Sequence, residues 1–275
     1  MANGVLSVVA TPIGNLEDIT LRAIETLKSA DVVAAEDTRH TRKLLERYQI
    51  ATSLVALHEH NESRQAPGLI KRMKAGESVA LVSDAGTPLI SDPGFRLVQE
   101  AASAGIRICP IPGASAVTAA LSVCALPTDR FVFEGFLSAK KSSRRTRLEE
   151  LRTESRTLVF FESSHRISAS LDDMGAVFGN ERQAALCREM TKQFETVLRG
   201  TLNELVQALA EDPNQKKGEF VIVVAGKEQD HDAEIAAGIK MADALTEFLP
   251  ASQAARVAAK MTGASRRSIY ESISQ

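Results

Sequence analysis

Short apolar runs alternate with amphipathic stretches through the first 125 residues of the chain. Each run is rich in β-branched or small apolar residues, and the stretch after it places apolar residues at helical spacing. This pattern is typical of an open α/β sheet whose strands are parallel and buried on both faces. The predicted strands are VLSVVA, DVVAAED, SLVALHEHN, SVALVSDAG and RICPIPG, and a helix follows each of them.

The rhythm changes after the segment LPTDR. Five further strands are predicted with fewer helices between them: FVFEGFL, TLVFFESSHR, QAALCREMT, FETVLRGT and GEFVIVVAG. The third and fourth are separated by a join of only two or three residues, which favours an antiparallel pair. The sequence therefore predicts a first α/β domain over residues 1–125 and a second one, with a mixed sheet, over residues 126–228.

The C-terminal segment differs from both. KEQDHDAEIAAG is predicted to be a polar linker, and residues 236–275 contain three short helical patterns, with a TGAS turn between the last two. That spacing is typical of a helix-turn-helix unit. Two interpretations remain open at this point: the helices contact nucleic acid through Arg266 and Arg267, or they form an appendage for packing or dimerisation.

Composition narrows the class of protein. The 275 residues are 44% apolar and carry a net charge of −2, so a sizeable core is expected and no strong overall field draws the chain to nucleic acid or membranes. The N-terminus lacks a signal-peptide pattern and no apolar run approaches about 20 residues, so we expect a soluble, cytoplasmic protein without a membrane partner. The three cysteines are far apart and are expected to be reduced thiols.

Polar residues, glycines and prolines cluster where the first five strands end. The endings read TPIGN, AEDTRHT, HEHNE, SDAGTP and PIPGAS. Ligands bind at the carboxyl ends of strands in open parallel sheets, so a cleft is predicted at this edge. The chain has neither a P-loop nor a GxGxxG, HExxH or GxSxG motif, and no cluster of lysines serves these endings. A ligand of mixed polarity is therefore expected rather than a triphosphate.

His58 and His60 lie two residues apart at the predicted end of the third strand, so they would share one face of it. Two histidines on one face are a possible metal pair, with Glu59 and Glu62 nearby. We favour the alternative, in which this polar strand end lines the cleft, and predict no metal site.

Nine motifs, taken in order along the chain, closely resemble the ribosomal RNA methyltransferase branch of the tetrapyrrole methylase family. They are TPIGNLEDIT, AEDTRHT, LHEHNE, LVSDAGTPLISDPG, PIPGASA, FEGFL, FFESSHR, REMTK and KGEFV. The resemblance covers the whole chain. It implies two α/β domains with a cleft between them, S-adenosylmethionine as cofactor, and commonly a homodimer. The implied reaction is methylation of the ribose 2′-oxygen of a cytidine in the decoding region of small-subunit (16S) ribosomal RNA.

Two other functions are considered beside this one. The first is a methyltransferase of the same fold that acts on a tetrapyrrole or another small molecule, for which the basic residues and the helical tail have no use. The second is a ligand sensor with a helix-turn-helix effector, which leaves the second α/β domain unexplained.

Matching the family's motifs implies cofactor contacts at nine positions: Pro12, Ala85, Gly86, Thr87, Ile90, Ser115, Ala116, Phe161 and Met190. The wider family has GDP where residues 86–88 read GTP, so Thr87 replaces an acidic side chain. A backbone role is therefore expected at Thr87 rather than a side-chain role.

Methyl transfer to a ribose hydroxyl requires a group that accepts the hydroxyl proton. The strand endings offer five candidates: Glu36, Asp37, His58, Glu59 and Asp84. Our hypothesis is that Glu36 or His58 assists, because each follows a strand that ends at the predicted cleft.

A basic segment, SAKKSSRRTR, precedes a predicted helix of the second domain. It is interpreted either as a solvated loop and helix start or as a phosphate-binding patch, probed by the salt dependence of RNA binding. The residues proposed to contact RNA are Arg39, Lys140, Lys141, Arg144, Arg145, Arg266 and Arg267. Aromatic residues are only 4% of the chain, so few base-stacking surfaces are expected, and the RNA partner is expected to be recognised by shape as the assembled subunit.

Overall fold

The first half of the chain forms a five-stranded sheet in which every strand pair is parallel, as the sequence pattern predicts. The structure is a computed structural model that describes residues 4–228 and 231–274. The strand order is β3-β2-β4-β1-β5. The strands are β1 (Val5–Val9), β2 (Val32–Ala35), β3 (Leu54–Ala56), β4 (Val79–Val82) and β5 (Arg107–Ile111).

The central strands β2 and β4 are apolar along their whole length because helices cover both faces of the sheet. The helices are α1 (Leu21–Ser29), α2 (Thr38–Arg47), α3 (Glu62–Lys74), α4 (Phe95–Ser103) and α5 (Ala116–Val123). Helices α1 and α2 pack on one face, and α3 and α4 pack on the other. The chain therefore leaves β2 and β4, which are neighbours, toward opposite faces. Such a divergence opens a crevice at the carboxyl ends of the two strands.

The second half forms another five-stranded sheet, with the order β6-β7-β10-β8-β9. Only β6 and β7 pair in parallel and the other pairs are antiparallel, which confirms the predicted mixed sheet. The strands are β6 (Phe131–Phe136), β7 (Thr157–Ser163), β8 (Gln183–Arg188), β9 (Thr196–Thr201) and β10 (Glu219–Val224). The helices are α6 (Lys141–Leu151), α7 (Ile167–Phe178) and α8 (Leu202–Glu211).

Helices α6, α7 and α8 cover one face of this second sheet, where the largest apolar cluster lies. The other face is covered by α5, which follows the last strand of the first sheet. Val117 and Ala120 of α5, with Cys124 just after its end, pack against Val159 of β7 and Val223 of β10. Both sheets lie in one compact unit, Met1–Ala225, and this packing of α5 brings the end of the first sheet to the second.

The remaining unit, Gly226–Gln275, is helical. Its helices are α9 (His231–Thr246), α10 (Ala251–Thr262) and α11 (Arg266–Ile273), which confirms the three predicted helices. A core of small residues lets them approach closely: a Cβ added at Gly238 would lie 2.5 Å from Cδ1 of Ile269. Gly263, with φ of 79°, ends α10 in the left-handed conformation, and Ser265 caps α11.

Three boundaries differ from the prediction. Strand β3 ends at Ala56, so the predicted continuation to residue 61 is wrong. Residues 189–195 join β8 to β9, which is longer than the predicted join. Helix α9 begins at His231, inside the predicted polar linker, whose residues 229 and 230 lie outside the described residues. The domain bounds 1–125, 126–228 and 236–275 stay a prediction.

None of the described helices is both long and apolar enough to cross a bilayer.

Candidate active site in the cleft between the two sheets

A cleft of about 500 Å³ opens at the carboxyl ends of the first sheet, and both halves of the unit line it. The first half contributes the chain after β1, β2, β4 and β5, as the strand endings predict. The second half contributes the ends of β6 and β7, the β8–β9 join and the start of β10. The lining residues used below are Ile13, Glu36, Asp84, Ala85, Gly86, Thr87, Ile90, Ser91, Asp92, Ser115, Ala116, Phe136, Phe161, Met190 and Lys192.

The segment of residues 83–94, here named the 83–94 loop, leaves β4 in an unusual backbone conformation. Gly86, Leu89, Ser91 and Gly94 have φ of 80°, 72°, 69° and 120°, all in the left-handed region. Such residues persist only where their surroundings hold them, and they concentrate at functional sites. The glycines and prolines of SDAGTPLISDPG therefore allow the backbone conformation that borders the cleft, which a simple turn would not require.

The 83–94 loop is anchored to its neighbours by backbone hydrogen bonds. Thr11 N donates to Gly86 O at 2.9 Å, and Gly86 N donates to Thr11 O at 3.0 Å. The Thr87 hydroxyl donates to the carbonyl of Ala114 at 3.2 Å, which ties the loop to the segment before α5. The side chain that replaces the family's acidic residue thus has a structural partner within the chain.

Two glycines lie where the halves approach each other closely. A Cβ added at Gly135, in the bulge of β6, would lie 2.9 Å from the Ser91 hydroxyl of the 83–94 loop. A Cβ added at Gly14 would lie 3.0 Å from the carbonyl oxygen of Met190. The second half is therefore positioned against the loops of the first by contacts that only glycine permits.

Three of the carboxyl groups that line the cleft come from the first half: Glu36 after β2, and Asp84 and Asp92 in the 83–94 loop. Burial raises the pKa of Asp92 to about 6; a hydrogen bond from Ser83 opposes that rise, and the negative charges of Glu36 and Asp84 add to it. Burial also raises the pKa of Glu36, with a further contribution from Asp84. The Oδ1 atom of Asp84 accepts from the backbone N of Asp37 at 3.0 Å, which links the ends of β2 and β4.

Eight of the nine residues predicted to contact the cofactor line the cleft. The exception is Pro12, which is buried after β1, and its neighbour Ile13 lines the cleft instead. The cofactor contact predicted for Pro12 stays a prediction, with Ile13 as the adjacent residue that lines the cleft. What the other eight contact stays a proposal.

His58 is not among the residues that line the cleft, whereas Glu36 is. The hypothesis that one of the two assists in catalysis stays a prediction, with Glu36 as the better-placed candidate. Strand β3 lies at one edge of the first sheet and ends early. The side chain of Asn61 then closes a turn by accepting from His58 N at 2.9 Å and donating to Ala56 O at 3.1 Å. The rings of His58 and His60 lie 6.1 Å apart on this turn, not on one strand face. Among the described residues, no group of three or more potential metal ligands is assembled.

The basic segment divides into buried and exposed cations. Arg144 is only 4% exposed, and its guanidinium pairs with Asp173 of α7 at 2.6 Å. Asp173 also pairs with the half-exposed Arg145 at 2.6 Å. The charge of Arg144 is thus already neutralised inside the protein, and Arg145 is partly neutralised by the same carboxylate. The RNA contacts predicted for these two residues stay a prediction.

The remaining predicted RNA contacts are exposed. Lys140 and Lys141 lie at the start of α6, and Arg39 lies at the start of α2, where it pairs with Asp37 at 2.8 Å. Arg266 and Arg267 are exposed at the start of α11, and Arg267 pairs with Glu271 at 2.8 Å.

Sequence reasoning missed Asp92, Phe136 and Lys192, all of which line the cleft. Asp92 had a signal, because it is the second aspartate of a motif already assigned to the ligand. Phe136 and Lys192 also lie in quoted motifs, FEGFL and REMTK, but no spacing placed them at the cleft, since the packing of the second sheet against the first brings them there.

Two α/β halves that enclose a cleft at the carboxyl ends of parallel strands define a class of two-sheet, ligand-binding α/β proteins. Residues 5–206 match the family of Tetrapyrrole (Corrin/Porphyrin) Methylases, and residues 232–272 match the RsmI C-terminal HTH domain.

Curated relatives cover nearly the whole chain, and those described here share the name ribosomal RNA small subunit methyltransferase I. The protein of Xylella fastidiosa (strain Temecula1) is 54% identical over 267 residues, which are 97% of this chain and 98% of that one. The protein of Pseudomonas aeruginosa is 50% identical over 273 residues, covering 98% and 97% of the two chains. The chain therefore belongs to the tetrapyrrole methylase family, in the branch formed by these relatives.

Solved structures show the same fold. Uroporphyrin-III-C-methyltransferase from Thermus thermophilus is similar with a TM-score of 0.58 and 23% identity, covering 81% of this chain and 94% of that one. A diphthine synthase is similar with a TM-score of 0.59 and 19% identity, covering 81% and 90%. As a member of the methylase family, the chain is a methyltransferase whose methyl donor is S-adenosylmethionine.

The residues of the cleft fit that cofactor. The cleft volume of about 500 Å³ lies in the range of small-molecule sites. Apolar side chains from both halves, among them Ile13, Phe161 and Met190, suit a flat adenine, and backbone groups of the 83–94 loop are available for polar contacts. The carboxyl groups of Glu36, Asp84 and Asp92 complement a ligand that carries a sulfonium and an ammonium group.

Proposed function

We propose that the chain transfers a methyl group from S-adenosylmethionine to small-subunit (16S) ribosomal RNA, at the ribose 2′-oxygen of a cytidine in the decoding region. The observation that carries the proposal is the cleft itself. It is built from the family's motifs in both halves, in a chain about half identical over its whole length to relatives named for that RNA.

In this proposal the 83–94 loop and the segment before α5 hold the cofactor from the first half. Ala85, Gly86 and Thr87 contribute backbone groups, and Ser115 and Ala116 contribute the start of α5. Phe161 and Met190 close the cleft from the second half. When bound, S-adenosylmethionine supplies a methyl group that its sulfonium already activates, so the chain must align the acceptor and manage one proton.

Asp92 is the side chain best suited to take the proton from the ribose hydroxyl. It lines the cleft, and its pKa of about 6 makes it both ionised and usefully basic at neutral pH. Glu36, the sequence-based candidate, lines the same cleft and has its pKa raised by burial. We propose that Asp92 accepts the proton and that Glu36 raises the basicity of Asp92 through its negative charge.

The RNA backbone is proposed to contact the exposed cations. Lys140, Lys141 and Arg39 are solvent-accessible in the unit that contains the cleft, and Arg266 and Arg267 are accessible on the helical unit. The finer proposals are that the acceptor is the assembled small subunit, in the cytoplasm, and that the enzyme is a homodimer. The resemblance to the family supports them; light scattering and a comparison of free RNA with subunits test them.

The alternative of a tetrapyrrole substrate is not favoured, because the relatives that cover the whole chain are named for ribosomal RNA. One experiment separates the two. The protein is incubated with methyl-labelled S-adenosylmethionine and, in parallel, with unmodified small subunits, large subunits or a uroporphyrinogen. We expect label only in the small-subunit sample. Label in the uroporphyrinogen, with none in RNA, would overturn the proposal.

A further inference from the structure

Three phenylalanines, two of which line the cleft, cluster together in a chain that has few aromatic residues. The ring of Phe161 contacts Phe133 and Phe136 edge to face, with centroids 4.9 Å and 5.6 Å away. Phe161 and Phe133 also pack in the apolar cluster beneath α5, so they have a structural role. The sequence-based expectation that base-stacking surfaces are scarce therefore does not extend to the cleft.

Phe136 differs from the other two because it remains 56% exposed while lining the cleft. It stands at the end of β6, just after the register shift between Phe133 and Gly135. A bulge of this kind re-aims the side chains that follow it. Its exposure is notable because the ring lines a ligand space, beside the apolar side chain of Ile90.

Arg166 lies beside this ring in a fixed position. Its Cζ is 5.8 Å from the centroid of Phe136. Its Nη1 donates to the carbonyl of Leu137 at 3.0 Å, and its Nε lies 2.9 Å from a carboxylate oxygen of Glu162. The guanidinium is therefore held against the aromatic ring by the backbone next to it and by a nearly buried acid, rather than moving freely in solvent.

The first half completes the surroundings of the ring. Ile90 of the 83–94 loop lines the same cleft and is 41% exposed. The close approach of Gly135 to Ser91 shows that the end of β6 lies against this loop. An exposed aromatic ring and an exposed apolar side chain thus border one ligand space from two sides.

We propose that Phe136 is the stacking surface for the base of the target ribonucleotide, unstacked from its neighbours in the RNA. Arg166 acts as a positioning residue that holds the ring. The inference rests on the proposed RNA substrate and adds the part of the chain that presents the nucleoside to the cofactor. A base is the fitting ligand because it is flat, has a π-face and must leave the RNA stack before its ribose can enter a cleft.

The adenine of the cofactor is the competing occupant, since it is flat as well. Phe161 is the less exposed ring and packs in the interior, and the methylase motifs point to it for the cofactor. Phe136, the more exposed ring, is left for the larger substrate that enters afterwards.

The test uses the full-length protein with the substitutions F136A, F136L and F136Y, and F194A as the matched control. Phe194 is 65% exposed but does not line the cleft. For each variant, KM and kcat are measured with unmodified small subunits, and the Kd of S-adenosylmethionine is measured by calorimetry. F136L keeps an apolar side chain, so it reports on stacking even where F136A folds poorly.

We expect F136A and F136L to raise KM for the subunit roughly tenfold to hundredfold, the loss typical of one stacked base. F136Y and F194A should remain within about twofold, and the Kd of the cofactor should be unchanged in all four. A weakened Kd with an unchanged subunit KM would assign the ring to adenine, and unchanged values throughout would remove it from both sites. Failure of the proposed function itself is distinct, because the unsubstituted protein would then label no RNA.

Discussion

Asp92 is the residue at which local structure and chemistry are most closely connected. It follows two left-handed residues of the 83–94 loop, Leu89 and Ser91, and that backbone places its carboxyl in the cleft near Glu36 and Asp84. Burial and these charges raise its pKa to about 6, so the group changes charge close to neutral pH.

The first prediction concerns the pH dependence of methyl transfer. With Asp92 as proton acceptor, the rate should rise with pH through about 6 and level off above it. The substitution D92N should lower kcat by roughly 100-fold or more and abolish that rise. D129N, at an exposed aspartate outside the cleft lining, serves as the control and should behave as the unsubstituted protein. A D92N variant with normal kcat at saturating RNA would remove Asp92 from the reaction.

The second prediction concerns stability without ligand. The folded pKa of Asp92 is about 6, above the usual value of 3.8, so the folded state binds the proton more tightly. The stability linked to this group is complete below pH 3.8 and is lost as pH rises through 6. D92N should therefore stabilise the protein at pH 8 by about 1 kcal/mol, after solvent screening of a partly exposed group is allowed for. Urea unfolding should show the difference shrinking at pH 4.5, and a larger benefit at the lower pH would contradict the assignment.

At the scale of elements, helix α4 lies between two glycines, Gly94 and Gly105, that have different surroundings. Gly94 caps its start with φ of 120°, and an added Cβ would lie 2.8 Å from a buried methyl group of Leu81 in β4. Gly105 follows its end with φ of 67°, and nothing lies within 4 Å of an added Cβ. A side chain at Gly105 would meet only backbone strain, whereas a side chain at Gly94 would meet both backbone strain and overlap with Leu81.

The third prediction follows from that pair. G94A should lower the free energy of unfolding by about 3 kcal/mol, because strain and overlap with Leu81 combine. G105A should cost only about 1 kcal/mol, the penalty for a left-handed residue that has a side chain. Equal losses for the two variants in urea titrations would show that packing against β4 does not restrict the 83–94 loop.

The fourth prediction concerns the ion pair that links α6 to α7. Arg144 and Asp173 form a nearly buried ion pair at 2.6 Å, so R144A leaves a carboxylate without its main partner inside the protein. The variant should lose about 3 kcal/mol of stability. K141A, at an exposed position on the same helix, should change stability by less than about 0.5 kcal/mol. If R144A instead unfolds normally and weakens RNA binding, the arginine belongs to the RNA surface after all.

Elements were predictable from sequence where local pattern and burial agree. β2 and β4 are buried on both faces, and their continuous apolar runs showed it. The end of β3 was overestimated because no glycine or proline interrupts the chain through HEHNE, while the turn depends on a side-chain hydrogen bond of Asn61 that no periodicity reveals. The burial of Arg144 was missed for a similar reason, since its partner Asp173 is 29 residues away in the sequence.

At the scale of the whole molecule, the net charge of −2 gives no general attraction to RNA, so binding depends on local cations. The residues of the cleft divide into those that the sequence could predict and those that it could not. Residues of the first half were predictable because a parallel sheet gathers all its strand endings at one edge. Phe136 and Lys192 were not, because they reach the cleft only through the docking of the second sheet, which depends on α5 and on glycines such as Gly135.

The fifth prediction tests the local cations. K140A combined with K141A should weaken binding to small subunits and reduce the slope of log K against log salt by about 1 to 2. R266A combined with R267A, measured separately, decides between the two interpretations of the helical unit: a reduced slope supports RNA contact, and an unchanged slope supports a packing role. An unchanged slope for the lysine pair would remove the start of α6 from the interface.

The most direct measurement identifies the atom that receives the methyl group. Small subunits that lack the modification are incubated with methyl-labelled S-adenosylmethionine and the protein, and the RNA is digested to nucleosides and mapped. We expect the label in 2′-O-methylcytidine, at a single position in the decoding region. Label in a base-methylated nucleoside or scattered over many positions would contradict the assigned reaction, and a protein that binds the cofactor but labels no RNA would contradict the assigned substrate.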